Sequence, residues 1–528
     1  MRSYHLLFAF ILSMLVGLVS PAAAATIIVT TNQDTVDLPF DASSPCGTGT
    51  IGDLPGADGQ VSLREAIIAT NNTPGVKTIQ FASSLSGATI GLNKALYLCG
   101  GHTTVNGDVN GDDTPDVTVD GSAIPLASHV IDIVSDHNTV KNLQVQAFRT
   151  PDGFYDVISI AISAMPGVSL NVKDNTIAHN IVTGGAILVS AGLDPSNLQN
   201  IHDAATNKRT TVVENTISGG PTEGIIFGSV GDHHAVTGLT IARNTFSGNT
   251  FAAIIGVGGV FNRFDPTDDG ASDNSLDVTI KDNTITNNSN PGGTAGIGII
   301  GGFFFSSHNQ VTARILHNRI LNNNGNGILV ESAQENSSNN DVVATIRGNT
   351  VEDNNGVGIL AFGAIGAAAL SGGDSSGNSL DARIEQNTVS STFPFLYGIW
   401  VAGGIASFDG ALNKVANANE VNAVVSKNTV TGTTFLLEGI HLEAGGSGAA
   451  SDNAVEVSVE KNAVCGSAAG DIHALGGLLG NPFLVNNSGL GNTLEGEISK
   501  NTATTIVVED GVAGNLANVT QFHNAPCP

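Results

Sequence analysis

A short motif recurs along most of this 528-residue chain: an alternating apolar run, an asparagine and then a small or β-branched residue. In the copy Val278-Thr-Ile-Lys-Asp-Asn-Thr-Ile285, Asn283 marks the repeat. Successive copies lie 29 to 41 residues apart, which is typical of a solenoid with one supersecondary unit per turn. The equivalent asparagines are Asn175, Asn215, Asn244, Asn283, Asn318, Asn349, Asn387, Asn428, Asn462 and Asn501.

Each copy of the motif predicts two strands. The alternation before the asparagine, as in Val278-Thr-Ile280, indicates a strand with one buried face. About nine to thirteen residues after most of the asparagines comes a second strand that opens with glycine, as in Gly358-Ile-Leu-Ala361. The turn has no room for a crossover helix, so its strands must pair with the same strands of neighbouring turns. The predicted fold is therefore all-β, a parallel β-helix of ten or more coils.

The ten asparagines are expected to stack inside this solenoid. Asparagine tolerates left-handed backbone geometry, and its side-chain amide can hydrogen-bond to the same amide one coil away. At about 4.8 Å per coil, the stack would form one internal column. The alternative is that these Asn-Thr pairs are surface turns of an ordinary sandwich, which suits one copy but not ten in register.

Residues 1–25 have the composition of a secretory signal peptide. Arg2 precedes an apolar run from Leu6 to Val19, and small residues end in an Ala-x-Ala site. The run is too short for a membrane span, so we expect a secreted or cell-surface protein without a transmembrane segment. A net charge of −27 argues against nucleic acid and anionic lipid as partners.

The four cysteines fall into two groups at opposite ends of the chain. Four cysteines in an exported protein predict two disulfides. Three connectivities are open in principle, and local pairing at each end is the natural expectation. The two groups are Cys46 with Cys99, and Cys465 with Cys527.

Residues 26–125 differ from the repeat and predict an N-terminal capping region, with residues 126–528 as the β-helix. This region contains the one convincing helix, Ser62 to Thr70, in which Ser62 and Glu65 form a capping box. The open end of a solenoid exposes strand edges and core, so a helix lying across it is expected.

Two resemblances follow from these residues. Val61-Ser-Leu-Arg-Glu-Ala-Ile67 resembles the N-terminal segment of bacterial extracellular proteins with a Cys-Ser-Leu-Arg-Glu-Ala signature, although Val61 replaces the cysteine. The Asn-Thr-Ile coils resemble the pectate-lyase-like superfamily, which implies a right-handed parallel β-helix. That superfamily includes lyases, hydrolases, epimerases and adhesins, so the resemblance leaves the function open.

An acidic stretch in the capping region is a candidate calcium loop. Its side-chain oxygens lie at positions 1, 3, 5 and 9, a density that suits a hard cation. It lacks glycine at position 6 and glutamate at position 12, so a plain acidic turn is the alternative. The four residues are Asp108, Asn110, Asp112 and Asp116.

Extra residues enter the repeat between the glycine strand and the next asparagine, which predicts a row of loops on one face. They include Asn262–Asp269, Phe303–Phe305 and Ala364–Gly373. The outward position of the glycine strand is mostly apolar. Either the loops cover this column, or it forms an exposed groove in which Tyr397 and Trp400 stack on a sugar or protein. The column is Leu188, Ile226, Ile255, Leu329, Leu360, Trp400, His441 and His473.

No set of residues compels catalysis, and no catalytic residue is assigned. Asp268-Asp269 and Asp232-His233-His234 lie in different loops and predict solvated turns. We expect a secreted or cell-surface adhesion or structural protein that binds an extracellular glycan or protein, with calcium as its candidate cofactor. The alternative is a polysaccharide lyase, glycoside hydrolase or epimerase. The candidate ligand face comprises Tyr397, Trp400, His441, Asp268 and Asp269.

Overall fold

The structure is a computed structural model. It describes residues 24–38, 45–125, 129–148, 158–194, 201, 203–260, 270–365, 375–390, 397–405, 415–432, 438–445, 450–467, 470–476, 490–510 and 515–527. The loops predicted at Asn262–Asp269 and, except for its first two residues, at Ala364–Gly373 lie outside these ranges, as do residues 1–23.

A typical coil contributes one strand to each of three parallel sheets. In the coil around Asn283, Ser275–Lys281 belongs to the first sheet, Thr284–Thr286 to the second and Ser289–Phe303 to the third. The sequence predicted two strands per coil and missed the middle one. Three residues after a corner asparagine are too few to display an alternation.

The first sheet has 17 strands within the described residues. They are Ala25–Val29, Lys77–Phe81, Thr103–Asn106, Thr139–Lys141, Asn171–Lys173, Thr176–Ala178, Thr206–Lys208, Thr211–Val213, Ala235–Ala242, Ser275–Lys281, Gln310–Leu316, Asp341–Arg347, Ser379–Glu385, Glu420–Ser426, Ala454–Glu460, Thr493–Ser499 and Leu516–Phe522.

The second sheet has 13 described strands, most of them three residues long. They are Thr89–Gly91, Val117–Asp120, Leu143–Gln146, Ile181–Thr183, Thr216–Ser218, Thr245–Ser247, Thr284–Thr286, Arg319–Leu321, Thr350–Glu352, Thr388–Ser390, Thr429–Thr431, Ala463–Cys465 and Thr502–Ala503.

The third sheet also has 13 described strands and contains the predicted glycine strands. A small pair, Ala271–Ser272 with Ser306–Ser307, lies outside the three sheets. The third-sheet strands are Leu96–Leu98, Ile131–Ile133, Ile158–Ile162, Ala186–Ala191, Ile225–Val230, Ile254–Val260, Ser289–Phe303, Asn324–Gln334, Ile359–Phe362, Ile399–Ala402, Glu438–Glu443, Gly470–Leu475 and Ile506–Glu509.

Successive coils stack so that equivalent inward side chains touch. Ile280 pairs with Ile315, which pairs with Ile346, and all three are fully buried. Each aliphatic side chain thus packs against its own equivalents above and below. The resulting core runs as one cluster from the first strands to the last coil, and burial of its apolar surface stabilises the fold.

The N-terminal end is covered by the helix Leu63–Asn71. Ser62 accepts a hydrogen bond from the Glu65 amide, and the Glu65 carboxylate accepts one from the Ser62 amide, so the predicted capping box is present. Leu63, Ala66 and Ile67 pack into the main core. Two short 3-10 helices, Ile51–Asp53 and Ser83–Leu85, complete the helical elements of the described residues. None of these helices is long and apolar enough to span a membrane.

The sheets of the solenoid extend into residues 26–125. Lys77–Phe81 and Thr103–Asn106 pair in the first sheet, and Leu96–Leu98 opens the third. The predicted boundary at residue 125 therefore does not coincide with the start of the sheets. The region combines a helical cap with the first coils. The strands of these coils are short and irregular, so the sequence motif of the repeat is not recognisable there.

Both disulfides join cysteines near the same end of the solenoid. Cys46 is bonded to Cys99, beside the helix, and Cys465 is bonded to Cys527 in the last coils. This pairing confirms the expected local connectivity.

The corner between the first and second sheets is lined by a continuous asparagine ladder. Each side-chain Nδ2 donates to the Oδ1 of the next asparagine, at distances such as 2.9 Å from Asn283 to Asn318. The same Oδ1 accepts the backbone amide of the asparagine below, at 3.0 Å here. The ladder consists of Asn180, Asn215, Asn244, Asn283, Asn318, Asn349, Asn387, Asn428, Asn462, Asn501 and Asn524.

The prediction that Asn175 belongs to this column is wrong. Asn180 bonds to Asn215 instead, whereas the strand that follows Asn175 pairs with the one that follows Thr210. Asn175 and Asn180 each precede a short strand with an apolar central residue. The motif therefore selected Asn175 where Asn180 is the ladder residue. The left-handed residue is also not the asparagine but the residue before it, such as Asp282 with φ 57°.

Two further asparagine ladders, absent from the sequence prediction, line the other two corners. One lies between the third and first sheets: Asn274, Asn309, Asn340, Asn378, Asn419, Asn453, Asn492 and Asn515. The other lies between the second and third sheets: Asn249, Asn288, Asn323 and Asn354.

Candidate functional site

The outer face of the third sheet is covered around Leu360, Trp400 and His441. In its outward column, Leu360 lies beside Trp400, which lies beside His441 and then His473. Trp400 is only 9% exposed and Tyr397 only 8%. The prediction of an exposed groove that offers these two rings to a ligand is therefore wrong. Tyr397 and Trp400 lie in the covered part of the face.

The middle of this face is an apolar and aromatic cluster. Trp400 meets Phe362 edge to face, with ring centroids 4.9 Å apart, and Tyr397 lies 4.7 Å from Trp400. Leu360 and Ile405 complete the packing. Such aromatic pairs add to burial, so Tyr397 and Trp400 contribute to the stability of the covered face.

Next to these aromatic rings lies a polar group, here called the His441 cluster, formed by Glu438, His441, Glu443 and His473. Glu438, His441 and Glu443 come from one third-sheet strand, and His473 comes from the next strand, directly beside His441. The side chains of His441 and Glu443 are 2% and 1% exposed. The cluster therefore brings four polar side chains from two coils into a buried space.

The contacts within the His441 cluster are short. Glu438 Oε1 is 3.0 Å from His473 Nδ1, and Glu443 Oε2 is 3.4 Å from His441 Nε2. Glu438 Oε2 is 3.6 Å from His441 Nδ1, which is an ion-pair contact and not a hydrogen bond. Tyr397 stacks on the His441 ring with centroids 4.5 Å apart.

These contacts set the charges of the cluster. Burial acts against the charged form of His441, but the carboxylates of Glu438 and Glu443 outweigh it and raise the pKa of His441 to about 9. Burial likewise opposes ionisation of Glu438, but His441 and His473 lower its pKa to about 2. Burial, with Glu438 and Glu443, raises the pKa of the Tyr397 hydroxyl. His441 is thus an imidazolium held by carboxylates.

Sequence reasoning found His441 and missed its two carboxylate neighbours. In the segment Glu438-Gly-Ile-His-Leu-Glu443, the repeat motif accounts only for the glycine and the central outward residue. The available signal was the pair of charged residues on a strand whose equivalents in neighbouring coils are apolar.

A second polar group lies on the third sheet at the N-terminal end. Asp132 lies beside Tyr97 in the pairing of the first two strands, and His129 Nδ1 is 2.6 Å from Asp132 Oδ1. Both side chains are fully buried. Burial raises the pKa of Asp132, although the nearby His129 acts in the opposite direction.

Two other carboxyl groups are buried without a countercharge in the part of the chain that the structure describes. Among the described residues, Glu331 has no hydrogen-bond partner for either oxygen, and burial raises its pKa well above the ordinary value. Glu223 lacks a partner for Oε2, and burial raises its pKa to about 7. Burial therefore favours the protonated form of both carboxyl groups in the folded chain.

The candidate calcium loop is exposed, and its carboxylates already bind the loop backbone. Asp108 accepts hydrogen bonds from the amides of Gly111 and Asp113, and Asp116 accepts one from Val109. Asn110 Nδ2 donates to Asp112 at 3.1 Å. In this geometry the polar groups of an acidic turn hydrogen-bond to one another. Calcium binding by the loop stays a prediction.

The remaining candidate residues do not join the His441 cluster. Asp268 and Asp269 lie outside the described residues. Asp232 accepts the Ser272 amide, and His233 is exposed. His234 is buried, and its backbone amide donates to Asn274, so it continues the ladder between the third and first sheets.

The comparisons with known proteins agree with this architecture. The model of the family described as the right handed beta helix region matches residues 201–374. No curated protein matches the chain. The chain is a right-handed parallel β-helix.

Several solved structures are similar to the chain, at low sequence identity and with TM-scores below 0.4. The periplasmic alginate epimerase AlgG is 13% identical with a TM-score of 0.37, over 86% of this chain and 77% of that one. The A-module of the Azotobacter vinelandii mannuronan C-5 epimerase AlgE6 is 13% identical with a TM-score of 0.37, over 89% and 95%. PfbA, a surface adhesin of Streptococcus pneumoniae, is 13% identical with a TM-score of 0.35, over 89% and 92%. At these TM-scores the likenesses carry no argument about fold or activity.

Proposed function

We propose that this protein is an exported β-helix that works as an adhesion or structural module and binds an extracellular glycan or protein. The observation that carries the proposal is the unbroken internal framework. A ladder of 11 asparagines runs along one corner, and a disulfide ties each end. Such a framework would hold surface residues in fixed positions relative to one another.

The dimensions and composition support the same role. Thirteen stacked strands in the third sheet, at about 4.8 Å per coil, give a solenoid about 60 Å long. Solenoids of this kind present extended lateral surfaces on which binding residues are distributed. Two disulfides are expected in an oxidising compartment outside the cytoplasm, in line with the proposed leader at residues 1–25.

The binding proposal is tested with a glycan array and immobilised extracellular proteins, using the folded chain with both disulfides formed. We expect saturable binding to at least one glycan or protein class. We expect no release of new reducing ends or unsaturated uronic products. Absence of binding to every class would contradict the proposal.

A polysaccharide-active enzyme is the second candidate, and the His441 cluster is the observation that favours it. Carboxylates, an imidazolium and the Tyr397 hydroxyl lie together, and these are groups that transfer protons in catalysis. Turnover of a polysaccharide that Tyr397→Phe abolishes, without loss of folding, would establish this candidate. Retained turnover in that variant would show that the reaction takes place at another site of the protein.

A further inference from the structure

The His441 cluster contains the donor set of a transition-metal site. We propose that Glu438, His441 and His473 together bind one Zn²⁺ ion. One ligand atom from each side chain lies within 4.8 Å of the other two. Two imidazoles and one carboxylate are a donor set that zinc takes in proteins when it keeps an open fourth position.

The distances between the ligand atoms suit such a site. Glu438 Oε1 lies 3.0 Å from His473 Nδ1, and Glu438 Oε2 lies 3.6 Å from His441 Nδ1. Two ligand atoms about 2.0 to 2.1 Å from a tetrahedral zinc ion are about 3.3 Å from each other. The two distances, one from each oxygen of Glu438, lie on either side of this value.

Unsatisfied atoms give a second, independent indication. His441 Nδ1 and Glu438 Oε2 are buried and have no hydrogen-bond partner among the described residues. A buried polar atom without a partner costs free energy. A cation between these two atoms would satisfy both of them and would take the place of the proton on His441.

Glu443 is placed to orient His441 toward the ion. Its Oε2 faces the opposite ring nitrogen, Nε2, at 3.4 Å. In metal sites, a carboxylate at the far nitrogen keeps the proton there and leaves the near nitrogen free to bind the metal. Tyr397 stacks on the ring and restricts its rotation. Glu443 is thus a positioning residue, and Glu438, His441 and His473 are the ligands.

This inference goes beyond the proposed function, because an ion here joins two coils whatever the protein binds. His441 and His473 lie on adjacent strands, so one ion would tie the last coils of the third sheet together. The ion is expected to stabilise the C-terminal part of the solenoid.

The test uses the folded chain, freed of metals with a chelator and then titrated with Zn²⁺ by calorimetry and with Co²⁺ by visible absorption. We expect one ion per chain, the absorption bands of four-coordinate Co²⁺, and a rise in Tm of several degrees at a Zn²⁺ concentration about 100 times Kd. His473→Gln should weaken Zn²⁺ binding by about 100-fold. Glu443→Gln should weaken it by about 10-fold and change the Co²⁺ spectrum.

His233→Ala is the matched control, because His233 is exposed and remote from the cluster in the fold. It should leave Zn²⁺ affinity unchanged. His473 is 19% exposed, so its glutamine variant is expected to fold even if His441→Ala does not. Fewer than about 0.1 ions per chain in the wild type, or wild-type affinity in folded His473→Gln, would overturn the site.

Discussion

The corners of the coil and the outer face of the third sheet both bury polar side chains, but they satisfy them in different ways. At a corner, Asn318 meets the same residue above and below, and each amide acts as both donor and acceptor. On the outer face, Glu331 lies between Ile300 and Phe362 in the neighbouring coils and has no hydrogen-bond partner within the described residues.

This difference shows what repetition does for a buried polar group. A residue that recurs in every coil supplies its own hydrogen-bond partner at the spacing of the sheet. A group that occurs in one coil needs a partner of another kind, or it stays neutral at a cost in free energy. The His441 cluster meets this need in part with ion pairs, whereas Glu331 has no hydrogen-bond partner among the described residues.

The largest expected effect comes from breaking a ladder in its middle. Asn349 donates to Asn387 and to the Ile315 carbonyl, and it accepts from Asn318. Asn349→Ala leaves several buried groups without partners, so we expect a loss of about 3 to 5 kcal/mol in the free energy of unfolding. Chemical denaturation of the wild type and the variant measures it.

The control for this variant is Asn355→Ala, because Asn355 is an exposed asparagine in the same coil. It should change the free energy of unfolding by no more than about 0.5 kcal/mol. Equal losses in the two variants would show that ladder membership does not matter.

The sequence predicted the ladder because its members share a local motif, and it failed where they do not. In the ladder between the third and first sheets, the asparagines are not followed by one common type of residue. Asn340 precedes aspartate, and Asn453 precedes alanine. Its signal was spacing alone, since Asn274 and Asn453 lie nine residues before Asn283 and Asn462. The third ladder lies five residues after the first in the same way, as Asn288 does after Asn283.

The candidate site was less predictable, because it depends on which side chains of different coils face each other. The motif placed His441 and His473 in one outward column, and the structure places them side by side. Whether that column is exposed or covered depends on tertiary packing, which a single repeat does not encode. The pairing of Glu438 with two histidines depends on rotamers and burial in the same way.

The next effect concerns Glu223 and depends on pH. Its pKa is raised from 4.5 to about 7 by burial, so the folded state holds a proton that the unfolded state has lost between these values. The wild type should therefore lose stability as pH rises from about 4.5 to about 7, by about 3 kcal/mol from this group.

Glu223→Gln removes the titrating group and keeps the shape of the side chain. The difference in free energy of unfolding between variant and wild type should shift in favour of the variant as pH rises from 4 to 8, by about 3 kcal/mol. Denaturant unfolding at a series of pH values measures it. A difference that stays constant with pH would mean that Glu223 finds a partner or ionises normally in the folded chain.

The smallest effect has the opposite sign to the first and tests whether the outer face really leaves a polar group unsatisfied. Glu331 lies beside Leu329 on the strand, with Ile300 and Phe362 in the flanking coils, and neither of its oxygens has a hydrogen-bond partner among the residues that the structure describes. Methionine has a similar volume and no group to desolvate, so Glu331→Met should stabilise the protein by about 1 to 2 kcal/mol. The exposed Glu495→Met should change stability by no more than about 0.5 kcal/mol. If Glu331→Met were destabilising while Glu495→Met was neutral, Glu331 would have a partner after all, and the contrast between corners and outer face would be lost at this position.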